Sequence, residues 1–81
     1  MTVKVGQVYK STSEDHDWRF VITHISDGGW IDYIYEDGVV IADNCEDEVL
    51  DGAELLAEYP TWFEAIHSPF FTRAINKLGR M

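Results

Sequence analysis

The sequence predicts a single α+β domain in which β-strands dominate. Short runs of β-branched and aromatic residues, separated by turn-forming residues, fill the first two thirds of the chain. After Pro60 the apolar residues recur with the spacing of a helix. The chain has 81 residues, 46% of them hydrophobic, which suffices for one core. We therefore expect one domain over residues 1–81, with a β-rich body over 1–59 and a helical segment over 60–81 packed on it.

Four strands are predicted before the acidic segment that starts at Asp43. They cover residues 3–9, 18–25, 30–35 and 39–42. Gly6 is expected to bend the first strand, and Asp27-Gly28-Gly29 supplies a turn. Asp37-Gly38 predicts a type I′ hairpin turn, which needs positive φ at both central positions.

The next segment predicts less regular structure. Residues 43–51 are acidic and favour a loop with one helical turn capped by Asn44. Residues 55–59 are expected to form a fifth strand or another helical turn, which Pro60 ends. Thr61 and Glu64 match a capping box, so a helix is predicted from residue 61 to about residue 67.

A second C-terminal helix is predicted to begin at Ser68, with Pro69 at its first helical position and Gly79 at its end. We expect the large apolar residues of both helices to pack on the strands rather than form a dimer contact. These residues are Trp62, Phe63, Ile66, Phe71, Ile75 and Leu78. Five short strands with appended helices favour a small SH3-like antiparallel barrel. An open antiparallel sheet with helices on one face is the alternative.

Charge is distributed very unevenly along the chain. All six Lys and Arg residues lie outside residues 20–72, whereas that stretch holds twelve Asp and Glu residues. The formal net charge of the whole chain is -9. A surface of this composition carries a broad negative potential, which attracts cationic surfaces and repels nucleic acid and anionic membranes. We therefore expect a basic protein surface as the partner, with no direct binding of nucleic acid or membrane.

No residue pattern predicts a catalytic or metal site. The three histidines and Cys45 fall in four separate segments, without the close ligand pair of a zinc site. The acidic run over 43–48 lacks the glycine and the ligand spacing of a calcium-binding loop. Motifs for nucleophilic or phosphate chemistry are also missing from the sequence. We expect a protein without enzymatic activity, cofactor or metal.

Cellular location is predicted from three further features. Cys45 is the single cysteine, which excludes an internal disulfide. The chain does not open on a secretory leader, and no apolar run approaches the length of a membrane span. These features predict a cytoplasmic protein.

Trp30 is the favoured contact residue within the acidic segment. Alternation along the predicted strand places Trp30 and Asp32 on one face and Ile31 and Tyr33 on the other. If the second pair faces the core, Trp30 is exposed beside Asp32, where it can dock an arginine or lysine. The predicted partner-binding residues are Asp27, Trp30, Asp32, Glu36, Asp37, Glu46, Asp47, Glu48 and Asp51.

Two segments carry a resemblance. Residues 55–70 read Leu-Leu-Ala-Glu-Tyr-Pro-Thr-Trp-Phe-Glu-Ala-Ile-His-Ser-Pro-Phe, and residues 3–9 read Val-Lys-Val-Gly-Gln-Val-Tyr. Together they resemble uncharacterised small acidic proteins of phages and prophages of Gram-positive bacteria. The resemblance implies a context in which small acidic proteins inhibit host or defence machinery, including anti-CRISPR proteins and DNA mimics.

Two functions therefore stay open at this point. The first is a non-enzymatic inhibitor that docks its acidic face on a basic, nucleic-acid-binding surface of a host or defence protein. The second is an SH3-like module that binds a peptide or another subunit through an aromatic groove. The groove residues would be Trp18, Trp30, Tyr33 and Tyr35.

Overall fold

The structure, a computed structural model, describes residues 3–11 and 18–71. Its elements in chain order are β1 (Gln7–Ser11), β2 (Arg19–Ile25), β3 (Ile31–Tyr35), β4 (Val40–Asn44), α1 (Glu46–Leu50), β5 (Ala53–Glu58) and α2 (Trp62–Ile66). The strands form one antiparallel sheet in the order β4-β3-β2-β1-β5. A mostly β, α+β fold with a five-stranded antiparallel sheet is thus confirmed. The sheet is open and ends at β4 and β5, so closure into a barrel is not confirmed.

Each face of the sheet carries a row of apolar side chains that crosses the strands in register. The first row is Val40, Ile34, Val21, Val8 and Ala57, and the second row is Tyr35, Phe20, Tyr9 and Leu55. The rings of Tyr9 and Phe20 stack with their centroids 5.6 Å apart. Period-2 alternation produces both rows in β1, β2 and β3. In β5 the register shift between Val8 and Tyr9 puts Leu55 and Ala57 in different rows. We call the two sides of the sheet the Val21 face and the Phe20 face.

The two helices cover opposite faces of the sheet. Val49 of α1 is buried against Ile31 in the cluster on the Phe20 face. Ala65 of α2 is buried against Val8 in the cluster on the Val21 face. The open antiparallel sheet of the alternative is therefore confirmed, whereas its placement of the helices on one face is wrong, because both faces of the sheet are apolar and each needs cover.

The β2–β3 and β3–β4 hairpins use the same three-residue loop. In the β2–β3 hairpin the Gly29 N–H donates to the Ser26 carbonyl at 2.9 Å, and in the β3–β4 hairpin the Gly38 N–H donates to the Tyr35 carbonyl at 2.9 Å. The φ angles of Gly29 and Gly38 are 84° and 90°. Asp37 does not have positive φ, so the predicted type I′ turn is wrong. A type I turn followed by a left-handed glycine replaces it.

The helix caps are partly as predicted. The Thr61 hydroxyl oxygen accepts a hydrogen bond from the Glu64 N–H at 3.2 Å, as the capping box predicts. Capping of α1 by Asn44 is wrong, since the N-cap of α1 is Cys45. The Asn44 amide instead donates to the Ala42 carbonyl at 3.2 Å.

The C-terminal apolar residues divide between buried and exposed positions. Phe71 is 2% exposed and lies in the cluster on the Val21 face. Trp62 and Phe63 are 41% and 59% exposed, so the prediction that they pack on the strands is wrong. The helix α2 has only five residues, and one side of it reaches the sheet. Ile75 and Leu78, with most of the second predicted helix, lie outside the described residues.

The bend predicted at Gly6 is confirmed. Gly6 has a φ of 93° and lies in a turn just before β1. The next residue, Gln7, is buried, and its side-chain amide group donates to the Glu58 carboxylate at 2.7 Å. The Gln7 side-chain oxygen accepts from the Tyr9 hydroxyl at 2.8 Å. These bonds satisfy a polar side chain that would otherwise destabilise the core.

Candidate protein-binding site

Asp32 lies between two irregularities of the sheet. On the β2 side the register shifts by the extra residue Thr23, whose hydroxyl donates to the Asp32 carbonyl at 3.3 Å. On the β4 side Ala42 and Asp43 together stand opposite Asp32. The Asp32 carboxylate accepts from the Asp43 N–H at 3.0 Å. Bulges of this kind change the direction of nearby side chains.

The bulge on β4 brings Asp43 to Trp30. Asp43 has a φ of 59°, and it is the one non-glycine residue of positive φ within residues 3–11 and 18–71. Aspartate is among the residues that tolerate this left-handed conformation. Asp43 is exposed and lines an open depression together with Trp30. An acidic and an aromatic residue therefore line the same depression.

Trp30 is exposed but held in place by the β2–β3 turn. Trp30 is 52% exposed, and its backbone N–H donates to the Ser26 hydroxyl oxygen at 3.1 Å. The indole lies so close to Gly28 that a Cβ there would meet it at 3.2 Å. The prediction that Ile31 faces the core while Trp30 is exposed agrees with this arrangement, since Ile31 is 0% exposed. An aromatic ring that already lies against a turn loses less conformational entropy on binding a partner than a fully free one.

Glu36 and Asp37 lie at the other end of β3 from Trp30. A strand of five residues spans about 17 Å, so one small contact area cannot include both ends. The Glu36 carboxylate accepts from the Arg19 N–H at 2.9 Å, and the Asp37 carboxylate accepts from the Val39 N–H at 3.0 Å. Both carboxylates therefore stabilise the local backbone. Arg19, at the same end of the sheet, offsets part of their charge.

The acidic residues of α1 lie on the Phe20 face. The Glu46 carboxylate accepts from the Val3 N–H at 3.2 Å, whereas Asp47, Glu48 and Asp51 are exposed. Burial, chiefly, raises the pKa of Tyr33 to about 12, with smaller contributions from Tyr35 and from the negative charge of Glu48. The helix α1 thus adds exposed negative charge beside the sheet, on the face opposite to α2.

The predicted site residues therefore separate into three groups. Asp27, Trp30 and Asp32 belong to the end of the sheet where β3 starts, Glu36 and Asp37 to the end where β3 stops, and Glu46, Asp47, Glu48 and Asp51 to α1 and its C-terminus. Sequence reasoning did not include Asp43 in the site. Its position depends on a bulge in β4, and one acidic residue among several gives no sign of it.

Within residues 3–11 and 18–71, no group of three or more His, Cys, Asp or Glu side chains is arranged to hold a metal ion. None of the helices in the described part of the chain has the length and apolar character needed to cross a membrane.

Comparison with known proteins provides no further guide to function. No protein-family model, curated protein or solved structure matches the chain.

Proposed function

We propose that this protein is a non-enzymatic binding protein whose acidic surface, centred on Trp30, docks on a basic, nucleic-acid-binding surface of a host or defence protein. By occupying that surface it acts as an inhibitor, in the manner of a DNA mimic or an anti-CRISPR protein in the cytoplasm of a phage host. The observation that carries the proposal is the shared depression of Trp30 and Asp43, in a stretch of chain without Lys or Arg.

The chemistry of the depression suits an arginine or lysine side chain. A cation over an indole ring gains about 0.5–2 kcal/mol, depending on how far it is desolvated. The Asp43 carboxylate adds a charge-assisted hydrogen bond. Because Trp30 is held against Gly28, the partner's cation meets a ring that is already in position.

The charge of the whole acidic segment affects the rate of association. Asp27, Asp47, Glu48 and Asp51 are exposed and contribute to one negative field. A field of this sign accelerates encounter with a basic surface, and its effect is screened over about 8 Å at physiological ionic strength. Binding is therefore expected to be fast and to weaken as salt concentration rises.

A second candidate function is an SH3-like module that binds a peptide or another subunit. The observation that favours it is the exposed aromatic pair of α2, Trp62 and Phe63, whose ring centroids are 6.1 Å apart. Exposed aromatic residues are frequent in protein interfaces. For this function, removal of charge near Trp30 would leave binding unchanged.

Two charge-removing substitutions test the first proposal. The partner is identified by cross-linking and affinity capture, and its affinity is measured at low and high salt. Asp43→Asn keeps a residue that tolerates positive φ. It is expected to weaken binding about tenfold, which corresponds to about 1.4 kcal/mol. The matched control Glu54→Gln removes the same charge from an exposed position on β5, the opposite edge strand, and is expected to change affinity less than about twofold.

Three outcomes would contradict the proposal. Equal effects of the two substitutions would mean that Asp43 is not part of the contact. An affinity that does not fall with salt would remove the electrostatic basis. A partner that still binds its nucleic acid normally in the presence of excess protein would exclude inhibition by occupation of the basic surface.

A further inference from the structure

Within residues 3–11 and 18–71, β4 is an edge strand and pairs on one side only, with β3. The Tyr35 N–H donates to the Val39 carbonyl at 2.9 Å, and the register continues with Val40 opposite Ile34 and Ile41 opposite Tyr33. In an antiparallel pair, residues that direct their backbone groups toward the neighbouring strand alternate with residues that direct them away. Val40 therefore points its N–H and carbonyl away from β3, toward the open side of the sheet.

The side chains at this edge are apolar and exposed. Val39 is 49% exposed and Val40 is 58% exposed. Natural edge strands are usually protected by lysine, proline, a bulge or a covering element. The bulge at Ala42 and Asp43 protects only the end of β4, and no Lys or Pro occurs between residues 39 and 44. The part of β4 around Val40 is thus suited to pairing with another strand.

Charge indicates which kind of strand fits. Asp37 and Asp43 flank the exposed valines, and both are exposed. A second copy of this chain would bring the same acidic residues and a net charge of -9 to the interface. Like charges directly opposite each other destabilise strand pairs, whereas opposite charges stabilise them. A cationic segment is favoured over self-association.

We propose that the β4 edge pairs with an extended cationic segment of the partner protein. One apolar residue of that segment lies beside Val40 and continues the row of apolar side chains on the Val21 face. Residues two positions apart share a face of a strand, so a cation two residues along lies beside Ala42, next to Asp43 and the depression that it shares with Trp30. The inference rests on the proposed function, from which it takes the positive charge of the partner. It adds backbone hydrogen bonds, which would fix the alignment of the partner segment along β4.

Three peptides of equal length test the inference. The first repeats Val-Thr-Arg-Thr, so that valine and arginine lie two positions apart on one face of a strand. The second repeats Pro-Thr-Arg-Thr, and the third repeats Val-Thr-Glu-Thr. Proline has no N–H and cannot complete a strand ladder, so the second peptide carries the same charge without the ability to pair. Amide hydrogen exchange of the labelled protein is followed by NMR. The valine–arginine peptide is expected to slow exchange of the Val40 amide at least tenfold, and the other two peptides are expected to leave it unchanged.

Two matched variants locate the contact. Val40→Lys places a charge on the β4 edge, and Leu55→Lys places the same charge on the β5 edge, where Leu55 is 46% exposed. Val40→Lys is expected to weaken binding of the valine–arginine peptide at least tenfold, and Leu55→Lys less than threefold. Circular dichroism and thermal melting establish that both variants are folded. Val40→Pro, which removes the N–H that points away from β3, is expected to weaken binding of the valine–arginine peptide at least tenfold as well.

The outcomes separate this inference from the proposed function. If both arginine peptides bind equally and the Val40 amide is not protected, edge pairing is wrong while attraction of cations stands. If the valine–arginine peptide binds with equal affinity to both lysine variants, pairing of the peptide with the β4 edge is likewise excluded. If neither arginine peptide binds, edge pairing is overturned, and the affinity of Asp43→Asn for the intact partner then decides the proposed function. Dimerisation of the free protein with protection of Val40 would identify a second copy as the occupant.

Discussion

Substitution of Gly6 by alanine should remove a large part of the stability of this protein. The Gly6 N–H donates to the Ile22 carbonyl at 2.9 Å, and the Gly6 carbonyl accepts from the Tyr59 N–H at 3.0 Å. Its φ of 93° is rare for a residue with a side chain. A Cβ at Gly6 would collide with the Tyr59 carbonyl oxygen and come within 3.2 Å of the Thr61 carbonyl carbon. Backbone atoms on both sides would have to move.

Gly38 provides a matched control for the size of this effect. Its φ is 90°, and a Cβ there would meet nothing within 4 Å. Gly38→Ala should therefore cost only the left-handed backbone penalty, about 1–2 kcal/mol. Gly6→Ala incurs the same penalty and also disturbs two backbone hydrogen bonds worth about 1 kcal/mol each. We expect a loss of about 3–4 kcal/mol, out of about 4–12 kcal/mol for a chain of this length.

Urea denaturation followed by tryptophan fluorescence measures both variants. The free energy of unfolding should fall about 2 kcal/mol further for Gly6→Ala than for Gly38→Ala, with a similar dependence on urea concentration. A Gly6→Ala variant that does not fold agrees with this expectation if Gly38→Ala folds. Equal losses for the two variants would refute the reasoning, because they would show that contact with Tyr59 and Thr61 does not require glycine at residue 6.

Two further predictions concern packing and pH. Phe71→Ala should lower the free energy of unfolding by about 3–5 kcal/mol, because Phe71 is 2% exposed. The control Phe63→Ala, at a 59% exposed position, should change the free energy of unfolding by about 0.5 kcal/mol. Equal losses of stability in thermal melts of the two variants would place Phe71 outside the core. Burial raises the pKa of Tyr33 from 10.0 to about 12, which favours the neutral phenol in the folded protein. This contribution to stability is complete below pH 10 and is lost as pH rises toward about 12, so Tyr33→Phe should reduce the alkaline loss of stability in urea titrations. An unchanged pH dependence would contradict that assignment.

Local interactions explain which features of the fold the sequence alone determined. Strand residues such as Phe20, Val21 and Ile22 alternate between two faces wherever the strand pairs, because the period of a strand is two. Thr61 caps α2 through the N–H of a residue three positions away. The absence of Lys and Arg between residues 20 and 72 likewise requires no structure to predict a negative surface.

The geometry of the β3–β4 loop could not be predicted from its own residues. Asp37-Gly38 is compatible with several turn types, and the pairing of Tyr35 with Val39 selects a three-residue loop in place of the two-residue one. The same pairing directs the Asp37 carboxylate to the Val39 N–H. A residue that sequence reasoning assigned to partner binding thus already has a partner within its own turn.

Tertiary contacts decided that the sheet stays open and that the residues of the proposed site come together. Whether the sheet closes depends on how β4 and β5 approach each other, and these strands are separated in the sheet by three others. Asp43 adopts positive φ and reaches Trp30 only because β4 inserts a bulge opposite Asp32. Gly6 is required by contact with Tyr59, more than fifty residues along the chain. Such contacts join residues that are distant in sequence. The free energy that stabilises them comes from packing of the whole core, which a local sequence pattern does not predict.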